Sequence, residues 1–219
     1  VAYKPNVAFF EALGLDGMKT LDESRKLIPE ECFTIADAKR GDIGNTATMY
    51  AKAFLEQMDF DSITIAPYMG QDSVEPFLQF KEKWAIVLGL TSNKGNLDFK
   101  RKKIDGTPLY ELVMKTAMQW GTDENTMFVV GATNEEDFEH IRTFCPNHFL
   151  LVPGVGAQGG DLEKLSQYGL NKDIGLLVNS TRGIIYASNG KDFAERAREE
   201  ALAINEQMKS LIDKYSPSV

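Results

Sequence analysis

The chain has 219 residues, 43% of them hydrophobic, with 32 acidic against 24 basic side chains and a formal net charge of -8. That length supports one well-cored domain, read here as residues 1–219. An acidic balance speaks against a general nucleic-acid or anionic-membrane binder, although a local basic pocket can still take an anionic small molecule. No apolar run approaches bilayer length and no signal peptide is legible, so the sequence reads as cytoplasmic. Cys32 and Cys145 lie far apart, without metal-ligand spacing, and His140 and His148 form no pattern with them. Two reduced structural thiols and no metal site are the expectation.

Val1 to Lys4 reads as the end of a strand stopped by Pro5. Val7 to Leu13 is a short helix ending at Gly14, and Leu21 to Leu27 is a second helix closed by Pro29. Cys32 to Lys39 is a buried strand, in which Asp37 and Lys39 share a face with Phe33 and Ile35. Asn45 is placed as the cap of a helix from Thr46 to Met58, with Met49, Tyr50, Ala53, Phe54 and Met58 on its buried stripe. Ser62 to Pro67 is the next strand, and Asp72 to Phe80 a short helix.

Trp84 to Thr91 is a continuous apolar run, as in a strand covered on both faces. Lys100 to Lys103 reads as a solvated basic loop, and Thr107-Pro108 as the N-cap and first residue of a helix reaching Trp120. Met127 to Ala132, His148 to Val155 and Gly175 to Thr181 are strands. Glu135 to Phe144 and Asp161 to Tyr168 are helices. Lys191 to Tyr215 is a long amphipathic helix with Phe193, Ala197, Ala201, Ile204, Met208, Leu211 and Tyr215 on its buried side.

Strands and helices alternate strictly, which implies an α/β fold with a parallel sheet. Seven strands are counted, so the expectation is a (β/α)8 TIM barrel whose first strand is absent from this chain. The alternative, an open doubly wound sheet, lacks a convincing G-x-G-x-x-G fingerprint here.

Barrels keep their chemistry at the carboxyl ends of strands. Those ends carry Lys4, then Asp37, Lys39 and Asp42, then Ser92, then Pro153 to Gln158, then Arg182 and Gly183. Opposite charges ~4 Å apart attract by about 4 kcal/mol at an effective dielectric near 20, so two lysines and two aspartates can stay ionised together. Asp37 beside Lys39 favours a protonated amine, making Lys39 a cation and proton donor rather than a Schiff-base nucleophile. The glycines from Gly154 to Gly160, with Arg182 after the following strand, read as an anion cradle of the phosphate-binding type. An ordinary ion-pair cluster and simple tight turns are the competing explanations of the two groups.

At these residues the chain resembles the orotidine 5′-monophosphate decarboxylase family. The resemblance rests on Asp37-Ala38-Lys39-Arg40-Gly41-Asp42-Ile43-Gly44-Asn45-Thr46, Leu90-Thr91-Ser92-Asn93, Val152-Pro153-Gly154-Val155-Gly156-Ala157-Gln158 and Asn179-Ser180-Thr181-Arg182-Gly183. It implies a (β/α)8 barrel, a homodimer, no metal or organic cofactor, and conversion of orotidine 5′-monophosphate to UMP and CO2. By position it implies that Lys4, Asp37 and Lys39 form one subunit's charge row. Asp42 and Thr46 would reach the neighbouring subunit's site. Ser92 would bond the pyrimidine, and Pro153 would pack at its C5 edge. Gln158, Arg182 and Gly183 would hold the 5′-phosphate. The aspartate that the family's first strand places against the ribose has no counterpart here. Two rival functions use the same residues: a magnesium-dependent sugar-phosphate decarboxylase or aldolase, and a non-catalytic nucleotide-binding barrel.

Overall fold

A computed structural model describes residues 1–131, 135–154 and 161–216. The chain packs as two compact units, Val1–Leu88 with Val113–Phe128, and Gly89–Leu112 with Val129–Val219.

In the first unit, β1 (Ala2–Tyr3), β2 (Phe33–Arg40), β3 (Ser62–Ile65) and all but the last two residues of β4 (Trp84–Leu90) follow one another in parallel order. Every residue of β3 is buried, and Ile63, Ile65, Ala85, Ile86 and Val87 make the continuous apolar layer of a sheet covered on both faces. Asp61 fixes the β2–β3 register: its Oδ2 accepts from the Thr34 backbone N–H at 2.7 Å and the Thr34 hydroxyl at 2.6 Å. The same hydroxyl oxygen accepts from the Asp61 backbone N–H at 2.9 Å.

Helices α1 (Val7–Glu11) and α2 (Gly14–Lys26) precede β2. Here α2 starts at Gly14 rather than Leu21, because Gly14 takes φ +66 and opens a second helix at once. Helix α3 spans Gly44–Ala51 and continues as a π-helical turn over Lys52–Gln57. Asn45 is not its cap: the helix begins two residues earlier than expected, with Ile43 at the cap position and no side-chain cap bond. The α3 segment buries Ala47 and Ala51 and leaves Met49 exposed, and the π turn, which rotates the residues after it begins, buries Phe54 and Leu55. The segment read as one helix over 72–80 is a 3-10 turn, Gln71–Ser73, followed by α4 (Glu75–Leu78).

In the second unit, β8 (Leu150–Pro153) pairs in parallel with β9 (Leu176–Asn179), from Leu150↔Leu176 to Pro153↔Asn179. The end of β7 (Thr126–Val130) meets the end of β4 where the Gly131 N–H donates to the Leu90 carbonyl at 2.8 Å. Helix α6 (Glu135–Phe144) lies at its expected bounds. Asp161 caps α7 (Leu162–Gly169) by accepting from the Glu163 and Lys164 N–H groups. Half-buried Arg142 of α6 donates to the carbonyls of Gly169, Cys145, His148 and Gly175, gathering four carbonyls on one guanidinium.

Two expectations change in this unit. Thr107 and Pro108 do not open a helix: they form β6, paired antiparallel with β5 (Lys103–Ile104), and α5 begins at Leu109 and ends at Ala117. The last helix, α9 (Phe193–Tyr215), has only Leu211 fully buried. Phe193 and Ala201 are exposed. Periodicity marks which face is apolar, whereas burial requires a neighbour. The C-terminal part packs on α7, where Lys214 Nζ and the Tyr215 hydroxyl reach Glu163 Oε1 at 2.7 and 2.8 Å.

Candidate active site

The charge row is built where β2 stops pairing regularly. Ala36 sits opposite Ile63, yet Arg40 sits opposite Ile65, so four steps along β2 match two along β3. The extra residues bulge, and Lys39 takes a left-handed φ of +47. A non-glycine residue in that region stores strain, a recurrent feature of functional sites. The strained backbone is over-determined by Thr64: its Oγ1 accepts from the Lys39 N–H at 2.9 Å and donates to Asp37 Oδ1 at 3.0 Å. The Asp37 N–H donates to the Pro5 carbonyl at 3.1 Å, which brings the Lys4 segment alongside.

Asp37 then carries one ammonium on each oxygen. Lys39 Nζ lies 2.5 Å from Oδ1 and Lys4 Nζ 2.7 Å from Oδ2. Asp37 and Lys4 are nearly buried, at 8% and 12% side-chain exposure, while Lys39 is half exposed at 49%. Burial alone would push the Asp37 carboxyl up. The Lys4 charge and the hydrogen bonds from both amines outweigh it and hold Asp37 below the usual carboxylate range. With both amines charged, the trio carries one surplus positive charge, with its open end at Lys39. Such a group can meet negative charge that develops next to it without reorganising.

Other anticipated residues fall outside this trio. Asp42 is not in the row, because its Oδ1 accepts the N–H of Ile43 at 2.8 Å and the side chain turns back on its own turn. Thr46 is exposed on α3. In the second unit, Ser92 follows β4 and lies against Gly131, where an added Cβ would come within 2.7 Å of the Ser92 Cβ and N. Pro153 ends β8 opposite Asn179. Arg182 and Gly183 begin the one-turn helix α8 (Arg182–Ile185), and Arg182 is exposed with no ion pair among the described residues. Gln158 lies outside the described residues.

Thr64 was not anticipated. Its only sequence signal is a hydroxyl in the middle of the buried strand Ser62-Ile63-Thr64-Ile65. The basic run also departs from a solvated loop. Lys100 Nζ donates to the Gly89 carbonyl at 2.8 Å, and Arg101 grips buried Asp137 of α6 through both terminal nitrogens at 3.0 and 2.5 Å.

Parallel β/α alternation, with a buried carboxylate between two amines at the strand ends, is the organisation of a (β/α)-barrel protein with a polar site at its strand ends. Residues 1–197 match the model of the orotidine 5′-phosphate decarboxylase / HUMPS family, and the chain belongs to that family. It is 57% identical over 216 residues to orotidine 5′-phosphate decarboxylase of Flavobacterium johnsoniae, covering 97% of this chain and 79% of the relative. Among solved structures, Leishmania donovani OMP decarboxylase matches with a TM-score of 0.82 at 36% identity, over 94% of this chain and 80% of that one. Leishmania donovani UMP synthase matches with a TM-score of 0.84 at 39% identity, over 93% of this chain but 46% of that longer chain.

Proposed function

We propose that the chain decarboxylates orotidine 5′-monophosphate to UMP and CO2, in pyrimidine biosynthesis, without a cofactor. The observation that carries the reading is the pair of lysine amines on the two oxygens of buried Asp37, with Lys39 the exposed end. Family membership over most of the chain supports it.

In this mechanism the bond between C6 and the carboxyl carbon breaks, the electron pair stays on C6, and CO2 departs. The resulting carbanion has little resonance stabilisation. Rate enhancements at the high end of enzymes require about 23 kcal/mol of barrier reduction, and fixed charge has to supply most of it. The Lys39 ammonium attracts the carbanion more strongly than the ground state, which is the condition for acceleration. It then gives its proton to C6 and regains one from water. Asp37 holds that ammonium in place and disfavours the substrate carboxylate beside it. Lys4 neutralises Asp37 from the other side, so that the buried carboxylate stays ionised.

The remaining roles follow the family resemblance. Ser92 bonds the pyrimidine, Pro153 lies at its C5 edge, and Gln158, Arg182 and Gly183 hold the 5′-phosphate. A homodimer supplies Asp42 and Thr46 to the neighbouring site, in keeping with an Asp42 side chain that does not join its own row. The cytoplasm is the proposed location. Loss of orotate absorbance, followed with excess EDTA present, tests the activity. Turnover that persists supports the reading. Turnover abolished by EDTA indicates a metal-dependent reaction, and UMP binding without turnover indicates a nucleotide-binding barrel.

A further inference from the structure

The last three carbonyls before Ser92 are each held by a different donor. Leu90 O accepts from the Gly131 N–H at 2.8 Å. Thr91 O accepts from Asn96 Nδ2 at 2.9 Å. Gly89 O accepts from Lys100 Nζ at 2.8 Å. Successive carbonyls of a strand point to opposite edges, so Gly89 O faces away from Gly131. On that edge the paired register with β3 ends at Ile65↔Val87. Gly89 lies beyond it and is buried, and a buried carbonyl without a partner is costly. The Lys100 amine stands where a strand N–H would otherwise be.

Lys100 is itself anchored. Its carbonyl accepts from the Tyr110 N–H at 2.9 Å in the first turn of α5. The next residue, Arg101, is fixed on α6 by its two-pronged bond to Asp137. Burial pushes the Lys100 amine down to about 8, but a neutral amine still has N–H groups to donate, so the bond to Gly89 survives deprotonation. Across the strand end, Gly131 leaves no room between itself and Ser92, since any Cβ there would stand 2.7 Å from the Ser92 backbone N.

We propose that Lys100 is a positioning residue for Ser92: by holding the Gly89 carbonyl it fixes the strand end that presents the Ser92 side chain to the substrate. This rests on the assignment of Ser92 to the pyrimidine under Proposed function. A positioning role concerns the base alone, so it separates two ligands. UMP has a pyrimidine and ribose 5-phosphate has none.

The test measures dissociation constants of both ligands by calorimetry for the full chain and for Lys100→Met, Lys100→Arg and Ser92→Ala. Lys100→Met is expected to weaken UMP about tenfold, the scale of one lost hydrogen bond, and to leave ribose 5-phosphate within about twofold. Lys100→Arg, which keeps a cationic donor on a long stem, is expected to restore most of the UMP affinity. If Lys100→Met does not fold, Lys100→Leu, which also lacks a donor, is read in the same way. Equal weakening of both ligands, or of neither, overturns the proposal while Ser92→Ala still weakens UMP selectively. Should Ser92→Ala weaken the two ligands equally, the assignment of Ser92 to the pyrimidine is wrong and the proposal falls with it.

Discussion

The carboxyl end of β2 and the carboxyl end of β9 both offer a cation, and they hold it in opposite ways. Lys39 is engaged before any ligand arrives, its amine on Asp37 and its backbone N–H on Thr64. Arg182 is exposed at the start of α8 and has no ion pair among the described residues. The contrast fits two tasks. A group that stabilises a transition state gains by being fixed in advance, because no reorganisation is then needed during reaction. A group that captures a ligand can be left to water until the ligand replaces it, at the cost of ordering one side chain.

Four measurements bear on that contrast. Lys39→Ala should reduce kcat by ~10⁴-fold or more, the combined scale of a lost proton donor and a lost fixed charge, with UMP still bound. Near-normal turnover in single-turnover kinetics would end the assignment. Arg182→Ala should leave kcat within a few-fold and raise KM about 10²-fold, as expected for losing a forked charge-assisted contact to phosphate. Unchanged steady-state kinetics would remove Arg182 from phosphate binding.

Thr64→Val tests whether the fixing matters. It removes the hydroxyl shared by Lys39 and Asp37 and should cost about 1–3 kcal/mol of stability and about tenfold in kcat. Urea unfolding and steady-state rates together would read it, and loss of stability with full activity would show that the bulge does not need Thr64. The smallest effect concerns acid. Asp37 titrates lower in the folded chain than its ordinary 3.8, so its contribution is complete above 3.8 and fades as pH falls through the lower folded value. Urea midpoints measured across that window should therefore fall more steeply for the parent than for Asp37→Asn; parallel curves would contradict a depressed Asp37.

Much of this was legible in the residues. Hydrophobic alternation and runs marked strands at 62–67 and 84–91, and helix α6 fell at its expected bounds. The spacing of Asp37 and Lys39 was sufficient to anticipate a contact, since both are near one strand end. What could not be read there was the conformation producing that contact. Strict alternation puts the two side chains on one face of a regular strand, whereas the chain reaches 2.5 Å through a bulge and a left-handed Lys39. Asp42 differs: it lies close to the row in sequence, and a local bond to the Ile43 N–H turns its side chain away from the row of its own chain.

Periodicity, composition and spacing along the chain are enough for the β/α alternation, the acidic balance and the set of charged residues at strand ends. Which of those charges meet follows from contacts made in the folded chain. The fold placed Thr64 under Lys39, turned Lys100 and Arg101 inward to a carbonyl and a carboxylate, and left the first turns of α9 uncovered. The physical reason is common to all of them. Whether a polar group faces water or a partner depends on which backbone groups remain unpaired nearby, and that is settled by contacts between residues far apart in the chain.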